Sequence, residues 1–444
     1  MDIKLWGGRF RKEIDPGFFN FQKSLDYDKR LARYDIFHSK IHIYALCEAG
    51  LLSVSERKKI DSALDGALAD LKKGKLSFNR DAEDVHTAMQ FEVNKRIGSL
   101  SEKLHTLRSR NDQVVFDEKC YCLEEVFELI NLLELVEESL VYLKNKYKDL
   151  IIPGYTHTRR AQVVLFSEYI SSFSLMFKED RRRLVNFHKS ITVYIGSGAL
   201  AGNPLGNSSY KKAISFLPYK FKSKIKPVSN SLDNVSNRDF IIELLSCAAM
   251  LQMHLSRLAE DFIMYSTKEF SFLDIPEDFC TGSSLMPHKK NPDFLELTRG
   301  STGRVYGNLV SVLTVMKGLP LTYNRDMQLD KEPLFDSVET LKKELKIMSA
   351  LIKKVKLNKE PLAAALEDES LFATEIAEYL VRQKVSFYHA HRIVGSLIRH
   401  CEEKGTKILD MPQSELIKFH NKLIASELGN IMDPGHAVKS KNKT

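Results

Sequence analysis

Residues 113–148 follow one uninterrupted helical pattern, in which apolar side chains recur every three or four positions. The apolar positions are Val115, Leu123, Val126, Leu129, Ile130, Leu133, Val136, Leu140 and Leu143. A helix of about 35 residues is roughly three times the average length in globular proteins, and the core of one small domain does not require it. We therefore expect this helix to pack in a helix bundle or at the centre of an oligomer.

Helical patterns also cover most of the remaining chain. They are predicted at residues 28–49, 55–73, 81–97, 155–190, 240–265, 292–317, 361–366, 371–383, 389–402 and 414–423. Strand patterns are scarce, and the best is residues 191–195. The sequence predicts an all-α fold with a long central helix bundle and smaller helical domains at each end. We place the N-terminal domain at 1–105, the central bundle at 106–355 and the C-terminal domain at 356–444.

The charge and cysteine content argue against several classes of function. The net charge of +8 comes from Lys and Arg scattered among acids, without the aromatic interleaving of a nucleic-acid groove. The six cysteines show no CxxC and no metal-ligand spacing, which indicates reduced thiols in a cytoplasmic protein. The first residues become polar within four positions and the apolar runs contain charges, so we expect neither a signal peptide nor a membrane span.

Residues 281–292, called the signature loop below, contain the densest set of reactive groups. The loop opens with the small polar run 281–284, and Pro287 and Pro292 then bracket a cationic segment that cannot form regular structure. An apolar-periodic helix starts after Pro292. A mobile polar loop that leads into a helix N-terminus is suited to binding anionic groups.

Four further polar clusters interrupt the helices, around Ser109, His157, Ser236 and Gln328. None has metal-ligand spacing, and the glycine-rich residues 196–206 do not have the GxGxxG spacing of a dinucleotide site, so we interpret them as a close-packed turn. Acid–base chemistry on an anionic substrate fits these residues best. Such chemistry needs a base at the carbon and donors for the negative charge that develops.

The signature loop has the form GSSxMPxKxNP, which resembles the fumarase/aspartase superfamily. Nearly the whole chain is similar to the argininosuccinate lyase family within it. The matching segments are residues 5–10, 83–87, 104–106, 108–113, 153–157, 196–199, 201–206, Ser236 with 238–240, the signature loop, and 323–324 with Gln328 and 330–332.

The resemblance implies a homotetramer with long central helices and active sites shared between subunits. It implies conversion of argininosuccinate to arginine and fumarate, without a cofactor or a metal. Ser283 would be the base, His157 paired with Glu296 would act on the leaving-group side, and Lys289 and Asn291 would bind the carboxylate and the developing charge. The fumarate portion would contact Ser109, Asn111, Thr156, Ser236 and Arg238. The arginine portion would contact Ser24, His86, Tyr323, Gln328 and Lys331.

Three departures from the family pattern leave alternatives open. Arg159 stands where the family usually has Gln. His288 also stands where Gln is usual, and His is common at this position in adenylosuccinate-cleaving relatives. The chain also ends soon after Asp433, so we expect the family's usual final helix to be absent. The alternatives are another fumarate-releasing lyase, such as adenylosuccinate lyase, or a non-catalytic structural homologue. Without the family, Glu296 could equally be a solvated helix carboxylate.

Overall fold

The structure is a computed structural model that describes residues 9–217 and 219–441. It is predominantly helical, as predicted. The helices are α1 Pro16–Gln22, α2 Leu25–Asp28, α3 Ala32–Glu48, α4 Val54–Lys72, α5 Val85–Ile97, α6 Arg110–Lys146, α7 Phe166–Ser190, α8 Gly206–Ser215, α9 Ser231–Ser236, α10 Asp239–Ser266, α11 Asp293–Met316, α12 Lys331–Lys354, α13 Lys359–Leu366, α14 Ala373–Arg382, α15 Phe387–Lys404, α16 Gln413–Phe419, α17 Ala425–Ile431 and α18 Pro434–Lys441.

Three two-stranded sheets complete the described architecture. Strands β1 Ile151–Thr156 and β2 Arg159–Leu165 pair antiparallel, β3 Val193–Ile195 and β4 Ile225–Pro227 pair parallel, and β5 Leu273–Asp274 and β6 Lys356–Leu357 pair antiparallel. The predicted strand at 191–195 is confirmed over its last three residues.

The long helix predicted from the apolar periodicity is α6, which has 37 residues. Its predicted apolar positions are buried except Ile130, which is half-buried, and Val126, Leu133, Val136, Leu140 and Leu143 are fully inaccessible to solvent. Four other helices have 24 to 28 residues, namely α7, α10, α11 and α12. The prediction of an all-α fold built on unusually long helices is confirmed.

The chain divides into two compact units that alternate along the sequence. The first comprises residues 1–132, 180–252 and 301–343, and the second comprises 133–179, 253–300 and 344–444. Each of the five long helices contributes residues to both units. Within the second unit, the C-terminal helices pack around an apolar core that includes Leu371, Leu380, Leu397 and Leu416. The sequence-based boundaries near 105 and 355 stay a prediction.

The predicted helix start at residue 155 is wrong, because residues 151–165 form the β1–β2 hairpin and α7 begins only at Phe166. The β-branched residues on both strands favour extended backbone. His157 and Thr158 at the turn have φ values of 52° and 58°. Positive φ at both central residues is typical of a type I′ hairpin turn and is incompatible with a helix.

The glycine-rich residues 196–206 form a tight turn, as predicted. Gly196, Gly198, Gly202 and Gly206 all have positive φ. A Cβ atom on Gly198 would lie 2.3 Å from the carbonyl oxygen of Gly202, so no larger residue fits without moving the backbone. The turn lies beside α6, because the backbone N–H of Gly196 donates to Asp112 Oδ2 at 3.0 Å.

Helix α10 bears on the expectation that the chain has no membrane span. Among the described residues, it has the length and apolar composition that a membrane span would need, and 56% of its most apolar stretch is buried inside the structure. Core helices of soluble proteins share both properties.

The described chain ends in α18, which starts at Pro434, a residue favoured at the first helical position. Asp433 Oδ1 accepts the N–H of His436 at 2.7 Å and so caps the helix. The expected absence of the family's usual final helix stays a prediction.

Candidate active site

The first unit contains a polar cavity of about 230 Å³. Its lining is formed by Ser24, Asp28, Asp84, His86, Arg110, Asn111, Val114, Tyr323, Arg325, Gln328 and Lys331. All five residues predicted to contact the arginine portion are in this set, together with Asn111. The sequence spreads these residues over more than 300 positions, so the fold is what makes them one surface. We call this space the polar cavity.

Helix termini and short turns place the lining residues. Ser24 precedes α2, and its backbone N–H donates to the carbonyl of Glu83 at 2.9 Å. His86 lies in the first turn of α5, whose N-terminus is capped by Asp84 through the N–H of Thr87 at 2.8 Å. Asn111 is in the first turn of α6, and Lys331 begins α12. Capping by Asp84 fixes the backbone beside His86, and the other three side chains lie at or next to the start of a helix.

Most charges on the cavity wall are already paired. Arg110 contacts Asp84 at 2.7 Å and Glu83 at 3.2 Å, and Arg325 contacts Glu83 at 2.9 Å. Asp28 differs, because among the described contacts its carboxylate accepts only the Ser24 hydroxyl at 2.6 Å and the Val85 N–H at 3.1 Å. Burial, reinforced by the nearby charge of Asp84, raises the pKa of Asp28 to about 6. The cavity therefore contains one carboxyl group that titrates close to neutral pH.

Behind the cavity wall, His86 is held by a buried carboxylate. His86 Nδ1 lies 2.7 Å from Asp35 Oδ1 and 3.8 Å from Asp117 Oδ2, and the amide of Gln113 also donates to Asp35 at 2.7 Å. Burial alone would lower the pKa of His86, but the hydrogen bond and charge of Asp35 outweigh it and raise the pKa. The resulting imidazolium would be a donor for an anionic or polar group in the cavity.

The side chains of Asp35, His86 and Asp117 each offer one ligand atom, and these atoms lie within 4.8 Å of one another. A metal ion could use this spacing. Two observations favour a hydrogen-bonded cluster. The Nδ1 atom of His86 is engaged by Asp35, and burial raises the pKa of Asp117 well above its usual value, which favours its neutral form. A protonated Asp117 and a charged His86 beside Asp35 form a set without excess negative charge.

Replacing Asp35 with Asn should lower the pKa of His86 and make the protein less heat-stable in a pH-dependent way. The His86 contribution is fully present below 6.5, its ordinary pKa, and is lost as pH rises through the raised value. Burial raises the pKa of Asp35, but the hydrogen bond and charge of His86 outweigh it and lower the pKa below its ordinary value of 3.8. The Asp35 contribution is therefore present above pH 3.8 and is lost as pH falls through the lowered pKa. The stability difference between wild type and Asp35→Asn should therefore be largest between these two pH values.

Thermal melting at pH 5.5 and pH 8.5 measures this difference. The control is Asp26→Asn, which removes an exposed carboxylate from the same region. Its melting temperature should follow that of wild type at both pH values. A Tm difference for Asp35→Asn that is no larger at pH 5.5 than at pH 8.5 would contradict the assigned pair.

A second buried cluster supports the cavity from the side of α12. Arg238 Nε lies 2.7 Å from Asp330 and 3.2 Å from Glu118, while Lys331 Nζ lies 2.7 Å from Glu118 and 3.0 Å from Asp330. The two carboxylates outweigh the effect of burial and raise the pKa of Lys331 and of Arg238. Arg238 is completely inaccessible to solvent and does not line the cavity. Its predicted contact with the substrate stays a prediction.

The second unit contains all four predicted catalytic residues, His157, Ser283, Lys289 and Glu296. His157 lies at the exposed tip of the β1–β2 hairpin, with Thr156 before it. The backbone of both His157 and Thr158 is in the left-handed region, which costs free energy for residues other than glycine. Strain of this kind is concentrated at functional sites, and here it presents the imidazole of His157 at the apex of the turn.

The signature loop is closed at its base. Thr281 and Asn291 form an antiparallel bridge, in which the N–H of Thr281 donates at 3.1 Å and the N–H of Asn291 at 2.8 Å. The hydroxyl of Thr281 also donates to Asp293 at 2.5 Å. Between these anchors, Lys289 is exposed and its ammonium makes no ion pair with the described residues. An unpaired cation in an otherwise tied loop remains available to an anionic ligand.

Within the loop, Ser283 Oγ accepts two backbone hydrogen bonds. The N–H of Leu285 lies at 3.3 Å and that of Met286 at 3.0 Å. Donors that point at an oxygen favour its deprotonated form. The local geometry therefore supplies part of the assistance that a serine base needs. Glu296 lies one turn into α11 and is exposed to solvent.

Two other predicted residues are occupied by local contacts. Ser109 Oγ accepts the N–H of Asn111 at 3.2 Å at the start of α6, and Ser236 Oγ donates to the carbonyl of Leu232 at 2.7 Å. Neither lines the polar cavity. Their contact with the fumarate portion stays a prediction, as do the roles of the other predicted site residues.

The sequence did not single out several residues that line the cavity. Asp28, Arg325 and Val114 are among them. Arg325 lies in the polar cluster around Gln328 but was given no role, whereas Asp28 and Val114 had no local feature that distinguished them. Asp84 and Arg110 lie within segments that carried the family resemblance but were given no role. The acids just before α5 and the two arginines on either side of Ser109 were the available signals.

Comparisons with known proteins identify the family of the chain. The family described as "Lyase" matches residues 8–307, and the family described as "Argininosuccinate lyase C-terminal" matches residues 370–439. A protein named argininosuccinate lyase from Clostridium kluyveri is 44% identical over 421 residues, which is 94% of each chain. One of the same name from Caldicellulosiruptor saccharolyticus is 43% identical over 95% of this chain and 90% of its own. The chain belongs to the argininosuccinate lyase family.

Solved structures support the fold. EDDS lyase in complex with formate has a TM-score of 0.80 at 22% identity, covering 98% of this chain and 87% of its own. A class II fumarase from Schistosoma mansoni has a TM-score of 0.78 at 15% identity, covering 94% of this chain and 92% of its own. As a member of the argininosuccinate lyase family, the chain is a carbon–nitrogen lyase. The matching segment at residues 5–10 falls partly outside the described residues, because the structure describes the chain only from residue 9.

Proposed function

We propose that this protein catalyses the reversible β-elimination of argininosuccinate to arginine and fumarate, as a step of arginine biosynthesis and, in organisms that have it, of the urea cycle. It would act in the cytoplasm as a homotetramer whose active sites are shared between subunits. One observation carries the proposal. The chain is 44% identical to a protein named argininosuccinate lyase, and it has Ser283 in a loop where the backbone N–H groups of Leu285 and Met286 donate to the Oγ atom.

The elimination needs a base at one carbon of the succinyl group and cleavage of the C–N bond at the next. Ser283 Oγ would take the proton, and the electron pair of the C–H bond would move into the adjacent carboxylate. Lys289 and Asn291 would stabilise the dianionic carboxylate that results, since cationic and N–H donors act where charge develops. The pair then forms the C=C bond of fumarate as the C–N bond breaks.

The electrons of the C–N bond go to the guanidino nitrogen, which takes up a proton and leaves as arginine. His157 would act on this side of the reaction, oriented by Glu296. The exposed tip position of His157 suits a group that must meet the substrate rather than the core. The proton count balances, because one proton leaves carbon and one is added to nitrogen.

The polar cavity of the first unit would hold the arginine portion. Its hydroxyl, amide and phenol groups, supplied by Ser24, Gln328 and Tyr323, are suited to a polar amino acid, and Asp28 provides a carboxyl for a cationic group. No nucleic acid and no membrane is part of this function, and no cofactor is required by the chemistry.

L-Arginine should bind more tightly as pH rises from 5 to 7. The pKa of Asp28 is raised to about 6, so its carboxylate forms over this range and attracts the guanidinium or the ammonium group of arginine. A charged hydrogen bond of this kind corresponds to an affinity change of about tenfold or more. Isothermal titration calorimetry at pH 5, 6 and 7 measures it.

The matched variant is Asp28→Asn, in which this gain should disappear. Any remaining change with pH would report His86, whose positive charge also decreases as pH rises. Equal pH dependence in wild type and Asp28→Asn would show that Asp28 does not face the bound arginine.

The decisive test is fumarate release, followed by ultraviolet absorbance, from purified protein supplied with argininosuccinate. Adenylosuccinate is the comparison substrate, because His288 resembles the relatives that cleave it. We expect release from argininosuccinate alone. Release from adenylosuccinate alone would replace the proposed substrate, and release from neither by folded protein would refute the elimination itself.

A further inference from the structure

A groove of about 650 Å³ lies on the C-terminal helices, within the second unit. It is formed by α15, by the turn before it and by the end of α16. The lining residues are Val385, His389, Arg392, Ile393, Gly395, Ser396, Arg399, Phe419 and His420. None of them was assigned a role in the elimination. We call this space the cationic groove.

The charge of the groove has one sign. Arg392 and Arg399 lie two turns apart on the same face of α15, and no carboxylate is among the lining residues. Among the described residues, Arg392 makes no ion pair, and the nearest carboxylate to Arg399 is Glu403, whose oxygen lies 3.9 Å from Nε. Two guanidinium groups with so little compensation form a surface that favours an anion.

The two histidines add ring N–H donors whose neighbours favour one tautomer. His420 Nδ1 accepts the backbone N–H of Lys422 at 3.2 Å, so in the neutral ring Nε2 carries the hydrogen. His389 Nδ1 lies 2.9 Å from Ser386 Oγ, which itself accepts the N–H of His389 at 3.4 Å and can therefore donate its own hydrogen to Nδ1. In both rings Nε2 then carries a hydrogen, and both residues line the groove.

Most of the remaining wall is apolar. It is formed by Val385, Ile393 and Phe419, with the hydroxyl of Ser396, and Gly395 contributes no side chain at all. A Cβ atom at Gly395 would meet nothing within 4 Å, so the floor of the groove is open there. The volume falls within the roughly 300–1,000 Å³ range of small-molecule sites.

We propose that the cationic groove binds a nucleoside di- or triphosphate. Guanidinium groups pair with phosphate oxygens in two-pronged contacts, which assigns the phosphates to Arg392 and Arg399, with the histidine N–H groups beside them. The base would lie on the ring of Phe419 along the apolar wall. This site is separate from the residues of the elimination and goes beyond the proposed function.

Calorimetric titration of the full-length protein with ATP, and separately with pyrophosphate, tests the site. No lyase substrate is present, so the outcome does not depend on the elimination. We expect saturable binding of both, with ATP tighter because its base contacts Phe419. Absence of saturable binding by either ligand would overturn the proposal, and equal affinities would overturn the placement of the base.

Variants locate the binding. The double change Arg392→Gln and Arg399→Gln should weaken ATP binding about a hundredfold, because two charged hydrogen-bonding groups are lost. Gly395→Glu, placed where the groove is open, should also abolish binding without disturbing the fold. The control Arg382→Gln removes an exposed arginine from α14, outside the groove, and should bind ATP as wild type does. Unchanged affinity in the first two variants, or equal loss in the control, would overturn the assignment.

Discussion

Ser283→Ala should reduce fumarate release from argininosuccinate by about a thousandfold, because a positioned base contributes roughly a hundred- to ten-thousandfold to a proton transfer. The loop should remain folded, since its two ends are held together by the Thr281–Asn291 bridge and not by Ser283. Arginine binding should also remain, because Ser283 belongs to the second unit and the polar cavity lies wholly within the first. The kcat should therefore fall while the calorimetric affinity for arginine is unchanged.

The background control for this change is Ser62→Ala. Ser62 is an exposed hydroxyl in α4, and its removal should leave turnover within twofold of wild type. A Ser283→Ala enzyme with more than a tenth of wild-type turnover would show that another group removes the proton. Loss of arginine binding together with turnover would indicate misfolding rather than a lost base.

Arg238→Met should be the most destabilising single change in the first unit. It leaves the buried carboxylates of Glu118 and Asp330 facing one remaining cation, Lys331. Breaking a buried ion pair from one side costs about 3–5 kcal/mol. The midpoint of thermal unfolding should fall by several degrees or more, and any loss of turnover should parallel the loss of folded protein.

A matched exposed arginine separates this effect from a general loss of charge. Arg304 pairs with Asp336 at the surface, where its side chain is 63% exposed. Surface ion pairs contribute about 0–1 kcal/mol, so Arg304→Met should melt close to wild type. If the two variants melted at the same temperature, the buried cluster would not be a determinant of stability.

The long helices could be predicted because their information is local. In α6 the apolar residues recur at helical spacing over many turns, and the observed helix differs from the predicted one by three residues at its start and two at its end. The glycine turn at 196–206 was also readable, since clustered glycines indicate positive φ. The signature loop was recognisable from its two prolines and its polar residues.

The hairpin at residues 151–165 was not predicted, because its polar centre hides the alternation that marks strands. Residues 156–160 are all polar, and only the flanking residues are apolar. The left-handed backbone of His157 and Thr158 depends on pairing between β1 and β2, which a propensity argument does not contain.

The polar cavity shows a second limit. Ser24 and His86 had no local feature that distinguished them from ordinary polar residues, yet both line the cavity with Lys331. Asp28 gains its raised pKa from burial and from Asp84, which is far away in the sequence. Properties that arise from distant neighbours become visible only when the chain is folded.

The bridge between Thr281 and Asn291 also constrains how this loop can vary in evolution. Because both ends of residues 282–290 are tied to each other, an inserted or deleted residue could not be absorbed by the flanking chain. It would instead change the separation of Ser283 and Lys289 inside the closed ring. A change in loop length would thus change the chemistry as well, whereas an exchange at an exposed position such as Leu285 would leave that separation as it is.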